Sequence, residues 1–161
     1  MSEQDQLPAD GNRGRQVHDR DRTFMRWLTR TQIKLMDGTR GRLFGRMGGN
    51  PLLVLTTTGW RSGQKFSNPV VGVADGGDWL IVASHGGASI NPRWLRNLAA
   101  DPRVTVRQAG SGSVPMAAHI LTPAERADWW PKLTRAYPPY GKMQDKTDRE
   151  LAVVRLSPAA S

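Results

Sequence analysis

The chain contains no cysteine. That excludes a disulfide scaffold, a thiol nucleophile, a cysteine-held iron–sulfur cluster and a Cys-ligated zinc. Histidine is scarce too: His18, His85 and His119 lie far apart in no HExxH-like spacing, so no catalytic metal is expected. No apolar run reaches the ~18–20 residues a transmembrane helix needs, and the first residues lack the apolar core of a signal peptide. Acid is the minority charge, 14 Asp and Glu against 23 Lys and Arg, leaving +9 at pH 7. Eighteen of those 23 cations are Arg, the planar fork that grips carboxylate and phosphate bidentately. The expectation is a soluble, cytoplasmic single domain with an anionic ligand. Nucleic acid is not expected as that ligand, because the cations are spread, are not interleaved with aromatics and sit in no recognition motif.

What is present points to a β architecture. Glycine (17) and proline (11) together exceed the usual share of ~12%, which favours a turn-rich fold over a helix bundle. Residues 1–20 hold almost nothing to bury and read as a disordered arm. Residues 21–47 read as a basic amphipathic helix and linker. Its apolar face carries Phe24, Leu28 and Leu35 with Met25 and Trp27 at the border, and Arg26, Arg30 and Lys34 form a stripe. Such a helix either covers the domain or docks on a membrane surface. Residues 48–158 then read as the folded body. Strands are expected at Leu52–Thr58, Phe66–Val73, Trp79–Ser84, Val104–Ala109, Val114–Leu121 and Leu151–Leu156. Asn91-Pro92 is expected to cap a short helix to about Ala100, and Thr122-Pro-Ala-Glu125 is a capping box for another to about Ala136. Six or so mostly antiparallel strands with peripheral helices make an α+β barrel.

Three stretches could carry chemistry. The loop Thr56–Gln64 with Lys65 concentrates hydroxyls, glycine-exposed amides and Arg61, a set that can cradle a phosphate or simply turn a hairpin. In Val82–Val104, Ala83 and Ser84 would let a flat ring approach the backbone, His85-Gly86-Gly87 forms an open turn, and Arg93 and Asn97 share a helix face. Trp94 there is either a core anchor or a ligand contact. Tyr137 and Tyr140, the two tyrosines, bracket Pro138-Pro139, which would hold both phenols at a pocket rim. The charges Asp145, Asp148, Arg149 and Glu150 read as solvated.

These stretches in this order resemble the deazaflavin-dependent nitroreductase family, small split β-barrel oxidoreductases of actinobacteria that use coenzyme F420. The matching text is LLVLTTTGWRSGQKFSNPVV, VASHGGASINPRWLRNLAADPRVTV and ERADWWPKLTRAYPPYGKMQDKTDRELAVVRLSP. The resemblance implies that Trp60, Arg61, Ser62, Gly63 and Gln64 hold the cofactor's phosphate and glutamate tail. It places Phe66, Asn68, Pro69 and Val71 on the strand beside the deazaflavin, and Val82, Ala83, Ser84 and His85 under the ring. Arg93, Trp94 and Asn97 would close the phosphate side, with Tyr137, Tyr140 and Ser84 orienting the acceptor or donating a proton. Phe66 stands where family members carry Arg, so one phosphate ligand is either missing or replaced by Lys65. Val71 and Met143 replace tyrosines of nitroimidazole-activating members, so a quinone or enone is the expected acceptor. Membrane contact through the N-terminal helix is the further expectation. The rival readings are a flavin-using relative and a non-catalytic split-barrel protein that binds a cofactor or lipid.

Overall fold

The computed structural model describes residues 7–39 and 45–160, and for residues 19–26 the backbone alone. Its elements follow in the order α1 (Asp19–Gly38), β1 (Arg46–Met47), β2 (Asn50–Thr58), β3 (Lys65–Val71), β4 (Val73–Asp75), β5 (Asp78–Val82), α2 (Arg93–Ala100), β6 (Arg103–Gln108), β7 (Val114–Ile120), α3 (Pro123–Ala136), α4 (Pro139–Asp145) and β8 (Val153–Pro158). Every strand pairing is antiparallel. The sheet runs β1-β2-β6-β7-β8-β5-β4, with β3 also on β2.

β3 and β4 are in effect one strand bent at Gly72. Its first half pairs with β2 (Leu52↔Val71 to Thr58↔Lys65) and its second with β5 (Val73↔Leu80). The bend therefore joins the two ends of the sheet and curls it into the expected split barrel. A side chain at Gly72 would have its Cβ 2.4 Å from Leu53 Cδ1 and 2.9 Å from Trp79 Cε3, so the bend tolerates only glycine.

Alternation along β2 separates two cores. Leu53 and Leu55 face the barrel interior with Val70, Ile81, Val106 and Val154, and α2 plugs that interior with Trp94, Leu95 and Leu98. Leu52 and Val54 face outward, where Leu133, Tyr137 and Tyr140 of the α3–α4 layer and Met36 of α1 cover them. Each fully buried Leu contributes roughly 1.5–3 kcal/mol by leaving water.

Several expectations are corrected. Residues 7–17 are not a free arm: Leu7 packs on the barrel core, and Arg15 forms a parallel bridge with Ala88. The segment is poor in apolar residues because backbone hydrogen bonds, rather than burial, hold most of it. On α1 the expected apolar face is the exposed one. Trp27, Leu28 and Leu35 are 61%, 41% and 46% accessible, while Met36 is fully buried with Ile33 beside it. Phe24, Met25 and Arg26 lie outside the described side chains. Asn91 does not cap α2; Pro92 occupies that position and the Asn91 side chain bonds elsewhere. α3 ends at Ala136 as expected, and a further short helix outside the expected set, α4, opens at Pro139. The capping box holds as expected, with Thr122 accepting from Glu125 N and Glu125 accepting from Thr122 N.

Candidate functional site

Antiparallel register puts the C-terminal ends of β2 and β5 at the same end of the barrel, with the starts of β3, β6 and β8. The β2–β3 loop, the segment from Ala83 to Asn91 and α2 all project from that end. The opposite end holds a cavity of about 190 Å³ lined by Trp79, Val106, Val114 and Met116 among others. None of the candidate site residues lines it.

The β2–β3 loop is internally tied. Gly63 N donates to Gly59 O at 2.8 Å, Gly59 N to Gln64 O at 2.7 Å and Gln64 N to the Ser62 hydroxyl at 3.3 Å. Asn97 docks it on the barrel: its carbonyl oxygen accepts from Trp60 N (3.3 Å) and its amide donates to the buried Thr57 hydroxyl (3.0 Å). Asn97 is thus buried and spent on positioning. Trp60 is 40% exposed, with the Arg61 guanidinium 4.3 Å from its ring centre. Lys65 donates to the Thr58 hydroxyl at 2.6 Å. Arg61, Lys65, Arg93 and Arg96 are all exposed, and none forms an ion pair with a described residue. Asp101, the acid whose charge Lys65 feels, is already engaged by Arg103, which holds its carboxyl below the usual range. Those four cations are available to an anion.

The second component is the turn after β5. Ser84 is right-handed (φ −73, ψ −37), whereas His85 (φ 46) and Gly86 (φ 63) are left-handed. A right-then-left pair of residues turns successive N–H groups into one concavity, which suits an anion or a carbonyl oxygen. A left-handed His is uncommon and costs on the order of 1 kcal/mol or more, so its surroundings must hold it. They do. The His85 ring Nδ1 lies 3.2 Å from Ile90 O, and Arg149 clamps the turn from inside. Arg149 is 1% exposed and donates to Ala83 O (3.0 Å), Ser84 O (3.1 Å), Ala88 O (3.1 Å) and Asn91 Oδ1 (3.1 Å). Burial lowers its pKa, with Asp10 opposing. Arg149 is therefore not the solvated charge its sequence neighbours suggest; it is the largest fully buried side chain among the described residues. Its sequence neighbours, Asp148 before it and Glu150 after it, do not distinguish it from a solvated charge.

The other predicted residues are distributed between the core, β3 and the helical layer. Trp94 is a core anchor, 7% exposed within the barrel. Phe66, Asn68 and Pro69 are half-buried along β3, while Val71 and Val82 are buried beneath the helical layer. Tyr137 and Tyr140 do not stand at a rim. They are 6% and 3% exposed and meet edge to face at 4.8 Å, and the Tyr140 hydroxyl donates to Val71 O at 3.1 Å. Tyr140 belongs to α4 and is buried there, an outcome that reading Pro138-Pro139 as a rigid link between two rim phenols does not anticipate. Burial pushes the Tyr140 phenol well above its ordinary pKa, with Tyr137 adding to the rise.

A split antiparallel barrel with a cationic loop and an anion-receiving turn at one end defines a split-barrel cofactor-binding domain. The chain belongs to the F420H(2)-dependent quinone reductase family, an oxidoreductase family whose description matches residues 27–158. An F420H(2)-dependent quinone reductase of Mycobacterium tuberculosis is 32% identical over 145 residues, covering 82% of this chain and 96% of that protein. A solved F420-H2 dependent reductase superposes with a TM-score of 0.60 at 38% identity, over 66% of this chain and 94% of that one. A second solved structure, described as a domain-swapped dimer, gives a TM-score of 0.61 at 32% identity, over 81% and 97%.

Proposed function

We propose that this protein passes a hydride from reduced F420 to a quinone or similar conjugated acceptor. The observation that carries the reading, beside the family, is the group Arg61, Lys65, Arg93 and Arg96: four exposed cations without an ion-pair partner among the described residues, two at the β2–β3 loop and two on α2, whose Asn97 bonds that loop. They fit the phosphate and carboxylates of F420. When bound, the cofactor supplies the hydride and thus the difficult chemistry.

The chain's own residues bind, orient and exclude. Arg61 and Arg93 hold the anionic tail, and Asn97 keeps their loop in register with α2. The Ser84–Gly86 amides would hold a carbonyl oxygen or an anionic group of the cofactor. Ser84, half-buried with no hydrogen bond to a described residue through its hydroxyl, orients the acceptor or delivers its proton. Tyr140 and Tyr137 act from behind the wall. Tyr140 fixes β3 through Val71 O and Tyr137 packs edge to face against it, rather than either touching the acceptor, which revises the expectation that their phenols donate to it. Val71 and Met143 leave no phenol for a nitroimidazole at their positions. The exposed Trp27, Leu28 and Leu35 beside Arg30 and Lys34 suit an anionic lipid surface, where apolar quinones reside.

The test is F420 titration by fluorescence, then steady-state oxidation of reduced F420 by menadione. Arg61→Ala is expected to raise Kd about tenfold, as removal of a charge-assisted hydrogen bond does. Absence of F420 binding would end the cofactor reading. Binding without oxidation by any quinone or enone would make the protein a cofactor carrier.

A further inference from the structure

Residues 7–17 precede the stretch that matches the family, 27–158, yet they reach the candidate site. They cross the segment after β5, bending at residues 12–14. Arg15 N donates to Gly87 O (3.1 Å), Ser89 N donates to Arg15 O (3.3 Å) and Gly11 N to Ser89 O (2.7 Å). The Asp10 carboxylate accepts from Asn91 N (2.7 Å) and from its side-chain amide (3.0 Å). The Arg15 guanidinium donates to His85 O at 3.4 Å. On the other flank Arg13 N donates to the Asp148 carboxylate (2.9 Å), and the Thr147 hydroxyl donates to Arg13 O (2.7 Å).

The fit is too close to admit other residues at two positions. A Cβ on Gly14 would lie 2.7 Å from Ser89 N and 2.9 Å from Gly87 O, at a φ of +150 that only glycine adopts readily. One on Gly11 would lie 2.2 Å from Asp148 Oδ1 and 2.8 Å from Arg149 N. The turn is therefore gripped from both sides. Arg149 takes the carbonyls of residues 83, 84 and 88 from within, and the segment outside takes those of 87 and 89.

We infer that residues 8–15 form a strap that holds the Ser84–Gly87 turn in its left-handed form, making Asp10, Gly14 and Arg15 positioning residues for the cofactor site. This rests on the F420 reading above. A turn free to relax would lose its aligned amides, and displacement of about 1 Å is enough to weaken binding of a rigid ligand.

The experiment uses the full chain carrying Gly14→Ala, and separately Asp10→Ala. Amide hydrogen exchange at residues 84–89 is measured without cofactor, and KM for reduced F420 and kcat with it. Exchange at 84–89 is expected to accelerate about tenfold with the barrel strands unchanged, because only a local opening is eased. KM is expected to rise about fivefold with a smaller change in kcat, the mark of lost binding rather than lost chemistry. Asp10→Asn keeps an acceptor oxygen and is expected to recover most of both. Unchanged exchange at 84–89 overturns the strap, and faster exchange with an unchanged KM overturns its role in positioning. Exchange needs no cofactor, so failure of the F420 reading would show in the assay alone and leave the strap judged by exchange.

Discussion

A guanidinium removed from water is expensive unless each nitrogen finds an acceptor. Arg149 meets that requirement with three backbone carbonyls and Asn91, without a described carboxylate bonded to it. Lysine would present one point charge where a planar fork spans four acceptors. Arg149→Lys is therefore expected to cost about 3 kcal/mol in denaturant unfolding, as broken buried charge networks do. Tyr140 poses the opposite problem, a neutral acid kept neutral. Its folded pKa lies above the ordinary value of 10.0, so the unfolded chain releases the proton first. Its contribution to stability is complete below that value and is lost as pH rises past it. Denaturant melts from pH 8 to 11 are expected to show wild type falling more steeply at the alkaline end than Tyr140→Phe. Parallel curves would mean the phenol is not desolvated.

Among elements, α1 separates burial from amphipathic appearance. Its contact with the body runs through Ile33, Met36 and an ion pair from Asp37 to Arg107. Met36→Ala is expected to destabilise by about 2–4 kcal/mol, whereas Leu35→Ser changes stability by under about 0.5 kcal/mol. Leu28→Ser with Leu35→Ser is expected to lower co-sedimentation with anionic-lipid vesicles and leave the melting temperature alone. Equal loss of stability from Leu35→Ser and Met36→Ala would put both faces against the body. The contrast shows which elements are legible in the sequence. Strands rich in Val and Leu, and the Thr122–Glu125 box, are specified by residues adjacent in sequence. Which face of α1 meets the barrel depends on side chains more than a dozen residues away, and no periodicity encodes that. The site divides the same way. The loop Trp60–Lys65 is readable from glycine, hydroxyl and Arg. The strap and Arg149 are not, because backbone hydrogen bonds between distant segments and a buried charge leave no compositional mark.

On the scale of the whole molecule the net charge is +9, and four cations that no described acid pairs, Arg61, Lys65, Arg93 and Arg96, belong to the β2–β3 loop region and to α2, where the ligand is proposed to sit. Asp75 and Asp78 are taken up by Arg155, Asp101 by Arg103 and Asp37 by Arg107. What remains near the loop is almost wholly cationic, so F420 affinity is expected to fall steeply between about 50 mM and 500 mM salt as the Debye length shortens. A Kd indifferent to salt would place the cofactor's charges away from Arg61 and Arg93.

The position of β8 has a different consequence, for synthesis. Its residues Val153–Pro158 lie between β5 and β7, bonded to both. While the chain is being made, those two neighbours stand with open edges until nearly everything before residue 153 has emerged. The nascent protein thus carries a strand with an open edge from the completion of β5 at Val82 until β8 is made, and β8 is the strand that ends the exposure.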